Sequence, residues 1–572
     1  MNSMKKITTV CLILLTLGLI GQAFLQKPQP STLQARRERP VTAPVATADT
    51  PERQRPLVDL RGKEKIEREE VLFAEGSEEA TRMSGGDADE REEREAKAGS
   101  RKGRYSFVGH VPKYAQQGAG NAAQVTNNRP TEHQLNRAGR SFTGDLRTLP
   151  QTKPVKQERP EHEGPAPAPR VKGDVAPPTA PSGAARITAP AAAAPAPSIS
   201  FDGLDFATWG AGHPPDTVGD VGPTYYIQAI NTSIGIFNKT GGAPVAAFTF
   251  NTFMSQGNFG NLCDTNNFGD PVILYDTFED RWVITDFAFA TSGGNAVAPV
   301  YQCFAVSKTS DPVMGGWNYY SLQTTDALGD YPKFGIWPDG IYMSANMFGL
   351  GVSSGFQNPR VWALNKAQMY AGAPNIQVVS FDAPSADFTL LPANARLQTG
   401  TPPAGTPNFF VSTWQFVNAL TVYKFHVDWN HPSLSTFTGP DAPLAATSWP
   451  NASVANAPSS GGNSLDVLQI RAMMQNQYTN IGGAESLWTT HTVRRANTTG
   501  FAASRWYQVN VTGGMVNANL PQAATWDPDG ANVLHRFIPS LALDRAGDLA
   551  LGYSTSSSTT KPAIKYAGRL AS

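Results

Sequence analysis

In residues 198–572, charged and imidazole side chains recur just before apolar, β-type runs. These positions hold His213, Asp216, Asp270, Asp330, Asp466, His535 and Arg536. We expect these side chains to gather in one binding site. Carboxylate oxygens are the ligands that Ca²⁺ prefers, and imidazole suits several transition metals. Asp216, Asp270 and Asp330 are therefore candidate ligands of a divalent cation such as calcium. The alternative is that each aspartate accepts hydrogen bonds in its own turn or pairs with a neighbouring Lys or Arg.

A second candidate site depends on glutamate, which is rare in the same part of the chain. Only Glu279 and Glu485 occur there. Many glycoside hydrolases use a pair of Asp or Glu side chains whose two pKa values differ. Glu279 lies in the segment DTFEDR, which is typical of a solvated hairpin turn, whereas Glu485 begins a β-type run close to several aromatic residues. If the chain is a hydrolase or a lyase, Glu485 with Asp270 or Asp330 is the expected catalytic pair.

Linear motifs do not decide whether the protein is an enzyme. The chain contains no Gly-x-Ser-x-Gly elbow, no His-Glu-x-x-His pair and no phosphate loop. Its tryptophan-rich runs could stack on sugars or pack a core. Lys plus Arg and Asp plus Glu each number 47, so no net charge favours binding to nucleic acid.

The first residues predict export. Residues 1–23 combine two lysines, an apolar run of 14 residues and a small-x-small triplet, which are the parts of a secretory signal. That run is shorter than a membrane-spanning helix, although an uncleaved anchor is the alternative. The predicted location is extracellular, at the cell surface or in the periplasm. Two further cysteines, Cys263 and Cys303, are predicted to form a disulfide in that oxidising environment, the alternative being two buried thiols.

Composition divides the remaining chain into a linker and one folded domain. Residues 24–197 are dominated by Pro, Ala, Arg and Glu, whereas all eleven tryptophans follow residue 200. Too few large apolar side chains are present in residues 24–197 to offset the entropy of folding, so this region is predicted to be disordered. Residues 198–572 are short β-type runs separated by Gly, Pro, Asn and Asp, which favours an all-β fold.

A repeat specifies that fold further. Four segments align on Pro215, Pro271, Pro332 and Pro539. In three of them an Asp follows five residues later, which predicts a strand, a tight turn and a second strand. Two more β-type runs follow at intervals of roughly 60 residues, and four strands per repeat are typical of a β-propeller blade.

Two more degenerate units fit before the last repeat, which gives a six-bladed β-propeller. The last unit lacks an outer strand, and the segment PSISFDGLDFAT alternates apolar and polar residues without a partner of its own. Residues 198–209 are therefore predicted to close the ring as an N-terminal strand, because closure removes an open sheet edge.

Four segments carry a resemblance to a known family. They are PPDTVGDVG from Pro214, DPVILYDTFEDRW from Asp270, DYPKFGIWPDG from Asp330 and ALGYS from Ala550. They resemble the motifs of an uncharacterised family of secreted bacterial β-propeller-like proteins. The resemblance implies an exported propeller domain and transfers no catalytic residue. Val218 stands where the family's opening motif has Asn, which disfavours a calcium loop there.

These patterns predict an exported, monomeric binding or adhesion module on a disordered stalk. A glycan or another cell-surface ligand is the expected partner, with no nucleic acid and no transmembrane segment in the mature chain. The alternative is a secreted carbohydrate-active hydrolase or lyase with Asp and Glu at the mouth of the propeller channel.

Overall fold

A computed structural model describes residues 74–75, 129–156, 194–353, 355–414, 419–445, 456–469, 471–495, 500–528 and 534–571. All of them belong to one unit, Arg68–Ser572. The predicted signal of residues 1–23 and most of the predicted linker lie outside the described residues. Every helix in the described ranges is too short or too polar to cross a bilayer.

Strands dominate the described chain. Two of them precede the repeats: β1 (Ala74–Glu75) and β2 (Thr131–Arg137). Blade one contains β3 (Val218–Val221), β4 (Tyr225–Ile230), β5 (Ser233–Asn238) and β6 (Ala246–Thr249). Blade two contains β7 (Asn267–Asp276), β8 (Arg281–Ser292), β9 (Asn295–Ser307) and β10 (Trp317–Thr324). Blade three contains β11 (Ala327–Ile336), β12 (Ile341–Gly349), β13 (Phe356–Leu364) and β14 (Asn375–Asp382).

The second half of the ring repeats this order. Blade four contains β15 (Leu391–Ala395), β16 (Asn408–Trp414), β17 (Ala419–His426) and β18 (Thr436–Ala445). Blade five contains β19 (Ala472–Ile481), β20 (Ala484–Arg494), β21 (Ala502–Asn510) and β22 (Gln522–Trp526). Blade six contains β23 (His535–Leu543), β24 (Leu549–Ser557) and β25 (Thr560–Arg569).

Helices are short and lie in the connections. The α-helices are α1 (Phe206–Trp209), α2 (Phe250–Met254) and α3 (Lys366–Tyr370). The 3₁₀ turns are Leu146–Thr148, Ser255–Gly257, Leu262–Asp264, Gly351–Ser353, Leu397–Thr399, Pro432–Leu434 and Thr512–Gly514.

The hydrophobic core lies between successive blades. Separate apolar clusters join blades one and two, blades two and three, blades three to five, and blades five and six. Middle strands are therefore covered on both faces, and every residue of β12 is buried. A sheet covered on both faces needs apolar residues on both sides, which explains why these strands do not alternate cleanly. Consecutive antiparallel strands in six blades confirm the predicted all-β, six-bladed propeller.

Strand β2 corrects the prediction that all of residues 24–197 form a linker without a core. It lies between the outer strands of blades two and three, so that both blades join one nine-stranded sheet. Six of its residues pair with β14, and two pair with β10. Leu135 is fully buried in the core between those blades. Hydrogen bonding on both edges stabilises a segment that has few apolar side chains.

Ring closure also differs from the prediction. Residues 198–205 form no strand, and Phe206–Trp209 form α1 because Asp205 caps that helical turn through a bond from the Thr208 N–H at 2.7 Å. The Phe201 ring packs against Phe237 of blade one, with ring centroids 5.6 Å apart. An N-terminal strand does complete blade six, but it is β1, which pairs with β25.

The predicted disulfide is confirmed. Cys263 and Cys303 are bonded, with Cα atoms 5.8 Å apart, and both side chains are buried. The bond joins the connection after blade one to strand β9 across a separation of 40 residues. Closing a loop of that length stabilises the fold by about 4 kcal/mol in the chain-entropy account.

The backbone is kinked close to the start of the innermost strand of each blade. One residue other than glycine adopts a positive φ at or just before the first strand of every blade. These residues are Asp216 (43°), Asp270 (44°), Tyr331 (53°), Thr389 (58°), Leu468 (46°) and Ile538 (50°). The ladder register shifts around three of them, in β7, β11 and β23. Bulges of this kind re-aim side chains, and strained backbone of this kind is frequent at functional sites.

Candidate functional site at the channel mouth

Asp270 and Asp330 come together at the mouth of the central channel. The backbone N–H of Tyr331 donates to Asp270 Oδ2 at 3.0 Å and to Asp330 Oδ1 at 2.7 Å. The kinks in β7 and β11 produce this arrangement, because they turn the two carboxylates of neighbouring blades toward one donor. The two carboxylates therefore lie side by side, as expected from their positions ahead of adjacent inner strands.

Asn231 connects this pair to Asp216. Its side-chain Nδ2 donates to Asp216 Oδ2 at 2.7 Å, and its Oδ1 accepts from the Asp270 backbone N–H at 3.0 Å. The amide is buried, so these bonds fix its orientation. Asp216 of blade one and Asp270 of blade two are thus held in one network.

Two cations balance the carboxylates. The Lys333 Nζ lies 3.5 Å from the ring centroid of Tyr331, and the Arg471 Cζ lies 4.7 Å from the same centroid. Both distances suit cation–π contacts. Lys333 comes from blade three and Arg471 from the connection that enters blade five, so four blades contribute charged groups to the mouth.

Burial changes the acid–base properties of this cluster. It lowers the pKa of Lys333 to about 8, although the negative charges of Asp270 and Asp216 act in the opposite direction. It raises the pKa of the Tyr331 phenol to about 12, with the positive charge of Arg471 acting against the rise. A lysine with a pKa close to neutral pH exists partly as the free amine and can accept a proton.

The three aspartates predicted as calcium ligands are held by hydrogen bonds to protein groups. Among the described residues, no three or more His, Cys, Asp or Glu side chains are grouped so that they could hold a metal ion. Asp216, Asp270 and Asp330 instead accept hydrogen bonds from Asn231 and from the Tyr331 backbone. Lys333 and Arg471 lie against the Tyr331 ring and supply positive charge beside these carboxylates.

The other residues predicted for the mouth have separate roles. Asp466 is exposed and accepts from the Leu468 N–H in its own turn at 2.9 Å. His535 is buried, accepts from the Ala502 N–H at 3.2 Å, and its pKa is lowered by burial. Arg536 is buried. His213 is exposed, and its ring centroid lies 4.7 Å from that of Phe206.

Glu485 is not a partner for the mouth aspartates. It pairs with Asn480 at the hairpin where β19 ends and β20 begins. Asp270 and Asp330 lie at the other end of their blades, where the inner strands begin. The Glu485 carboxylate is buried and accepts from the Tyr478 hydroxyl at 2.6 Å and from the Gly513 N–H at 2.9 Å. It therefore fixes a turn on the opposite face, which overturns the predicted catalytic pair.

Opposing blades are joined at the far ends of the inner strands. Arg396, which follows β15 of blade four, donates to Asp220 of blade one at 2.7 Å. The same Asp220 oxygen accepts from the Tyr275 N–H of blade two at 2.8 Å. This ion pair joins blades one and four, which face each other across the ring.

Sequence reasoning missed Asn231, Tyr331, Lys333 and Arg471. Lys333 lies inside the quoted segment DYPKFGIWPDG, three residues after Asp330, so the motif contained the signal. Arg471 directly precedes β19. Asp270 and Asp330 were predicted as site residues because they occupy the equivalent position in other blades. Asn231 carries no signal of its own, because only the folded chain brings its amide between two aspartates.

Comparisons with known proteins give no family for this chain. No protein-family profile matches it, and no curated protein matches it. Solved structures with a similar arrangement include the GH43 endo-arabinanase from Bacillus licheniformis, with 10% identity and a TM-score of 0.26 over 61% of this chain and 92% of that one. They also include the Hadza microbial sialidase Hz136, with 11% identity and a TM-score of 0.35 over 62% of this chain and 64% of that one.

A third is the WD40 domain of SCAP from fission yeast, with 8% identity and a TM-score of 0.27 over 64% of this chain and 76% of that one. Likenesses at these identities and TM-scores carry no argument about the site. The strand order and the mouth geometry define the class of protein by themselves: a six-bladed β-propeller with a charged channel mouth and an ion pair across the far ends of its inner strands.

Proposed function

We propose that the protein is an exported binding module whose channel mouth recognises a polyhydroxylated ligand, a glycan. The observation that carries this proposal is that Asp270 and Asp330 accept from the same Tyr331 backbone N–H, while Lys333 and Arg471 pack against the Tyr331 ring. The signal pattern of residues 1–23 and the disulfide support export. The extracellular surface is where such a module would meet glycans.

The charges of the mouth favour a neutral ligand. Asp216, Asp270 and Asp330 oppose Lys333 and Arg471, so neither an anion nor a cation gains a large net attraction. Sugar hydroxyls both donate and accept hydrogen bonds, so they can bind carboxylates and cations in the same site. The Arg396–Asp220 ion pair between opposing blades favours recognition of a chain end or a side branch over threading of a polymer.

Removing the mouth cations is expected to weaken glycan binding. Lys333→Met and Arg471→Met each delete a charged donor, and we expect at least a tenfold loss of affinity, which corresponds to about 1.4 kcal/mol. The measurement is a glycan array with the purified protein, followed by titration of the best ligand. Lys239→Met, at an exposed lysine in the β5–β6 connection, should bind like the wild type. A wild-type protein that binds no glycan, or mouth variants that bind normally, would refute the proposal.

A second candidate, a lyase, is favoured by the pKa of Lys333. In this reaction Arg471 would bind the carboxylate of a uronic acid unit, and the Lys333 amine would take the proton from the carbon beside it. The bond from the neighbouring carbon to the leaving oxygen then breaks as a C=C bond forms, and the Tyr331 hydroxyl protonates that oxygen. Proton abstraction by a lysine requires a free amine, and burial favours the free amine of Lys333 because it lowers the pKa.

The lyase candidate predicts a rate that rises with pH. Because Lys333 has a pKa of about 8, turnover of a uronic acid polymer should increase as pH rises through about 8. The ultraviolet absorbance of the unsaturated product measures that rate. Lys333→Arg should keep polymer binding but lose turnover, since guanidinium stays protonated. Absence of unsaturated product at every pH, with glycan binding retained, would leave the binding module as the function.

A further inference from the structure

A second cavity lies far from the inner strands, between β2 and β10. Its volume is about 350 Å³, which is within the range of small-molecule sites. Gln134 and Asn136 of β2 form one side, and Leu322 and Gln323 of β10 form the other. Because β10 is an outer strand of blade two, this cleft is separate from the channel mouth.

Incomplete strand pairing creates the cleft. Strand β2 pairs with β14 through Thr131–Asn136, but its ladder to β10 covers only Asn136 and Arg137. The partners of those two residues are Ser321 and Tyr320. Beyond that point β2 and β10 diverge, and in the described chain no strand fills the gap. Main-chain donors and acceptors of both strands therefore border the cleft together with the side chains.

The side chains that line the cleft are mostly neutral and polar. Four of them are amides and two carry hydroxyls: Gln134, Asn136, Asn261, Gln323, Ser321 and Tyr301. Asn261 Nδ2 donates to Ser321 Oγ at 3.1 Å, which orients one amide toward the cleft wall. The rings of Phe259 and Tyr301 also line the cleft, and none of its described lining residues is Asp or Glu.

We infer that this cleft is a binding site for one neutral sugar unit. Amide side chains offer a donor and an acceptor at fixed spacing, which matches pairs of neighbouring sugar hydroxyls. Aromatic rings offer an apolar surface to the C–H face of a sugar. No carboxylate lines the cleft to attract cations, and the one guanidinium on its walls, that of Arg137, donates to the Gly372 carbonyl at 2.6 Å. The inference does not depend on the function proposed for the channel mouth.

Binding in the cleft should also stabilise the junction between blades two and three. A sugar that contacts β2 and β10 at once adds a connection where their ladder has only two residue pairs. A ligand that binds only the folded state raises the melting temperature by mass action. The ligand effect on melting therefore provides a readout that needs no enzymatic activity.

Titration of the purified full chain with methyl glycosides of glucose, galactose, mannose and N-acetylglucosamine tests the inference. We expect at least one of them to bind with a Kd of about 1 mM or tighter, and to raise the melting temperature. Asn136→Leu and Gln323→Leu should each weaken that binding at least tenfold. Both side chains are exposed, so the variants are expected to fold, and unchanged melting without ligand confirms it.

Two controls locate the binding. Asn463→Leu, at an exposed amide in the loop before β19, should bind the sugar normally. Lys239→Met, at an exposed lysine of blade one, should also bind it normally. No saturable binding of any of the four glycosides would overturn the inference. Normal binding by folded Asn136→Leu and Gln323→Leu proteins, or loss of binding in Lys239→Met, would overturn it as well.

Discussion

Replacing Lys366 by methionine is expected to lower the free energy of unfolding by about 3–5 kcal/mol. Lys366 begins α3 of blade three, and its Nζ lies 2.9 Å from Oδ2 of Asp276, the last residue of β7 in blade two. Both side chains are buried, with exposed fractions of 3% and 0%. The Tyr370 hydroxyl donates to the same Asp276 oxygen at 3.0 Å. Removing the lysine leaves a buried carboxylate without its counterion, which is far more costly than losing a surface contact.

Chemical denaturation followed by tryptophan fluorescence measures this loss. A matched control is Lys424→Met, because Lys424 pairs with Asp441 at 3.1 Å and both side chains remain partly exposed. That exposed pair should contribute less than about 1 kcal/mol. Equal losses in the two variants would show that burial does not determine the contribution of the Lys366 pair.

The second large effect is a pH dependence due to Asp387. This carboxyl is buried just before blade four, where it accepts from the Thr421 hydroxyl at 3.2 Å and from the Tyr423 hydroxyl. Burial raises its pKa from 3.8 to about 6, although both hydrogen bonds act against the rise. The folded protein therefore holds this proton more tightly than the unfolded chain does. The stabilisation is fully present below about pH 4 and is lost as pH rises through about 6.

The expected size of this change is about 3 kcal/mol, because one pKa unit corresponds to about 1.4 kcal/mol. Other titrating groups cancel when the wild type is compared with Asp387→Asn at each pH. We expect the difference in unfolding free energy between them to shift by that amount between pH values near 4 and 7. Equilibrium denaturation across this range measures it. Tyr423→Phe removes a hydrogen bond to the ionised form of Asp387, so the loss of stability should occur at a higher pH in this variant. Parallel pH profiles for wild type and Asp387→Asn would contradict the argument.

Local patterns in the sequence determined the blades. Asp276 and Asp544 follow the aligned prolines by five residues, and each accepts backbone N–H bonds in the turn that this spacing predicts. Asp220, at the same spacing, bonds the Val221 N–H at 2.7 Å. A turn and its two strands depend on residues that are close in the chain, so the spacing of Pro, Asp and apolar runs is enough to predict them. The disulfide was predictable for a different reason, since Cys263 and Cys303 are the two cysteines that follow residue 23.

Tertiary structure alone decided how distant segments combine. The sequence TEHQLNR of β2 contains one large apolar residue, Leu135, and was predicted as linker. It becomes a strand because β14 and β10 offer hydrogen-bonding edges on either side, and no local pattern encodes those edges. The same holds for the mouth: Asp270 and Asp330 were predictable from their positions, but Lys333 and Arg471 become their counterions only when separate blades converge. Contacts between residues far apart in the chain depend on the closed ring, which explains why repeats predicted the propeller but not its charge pairing.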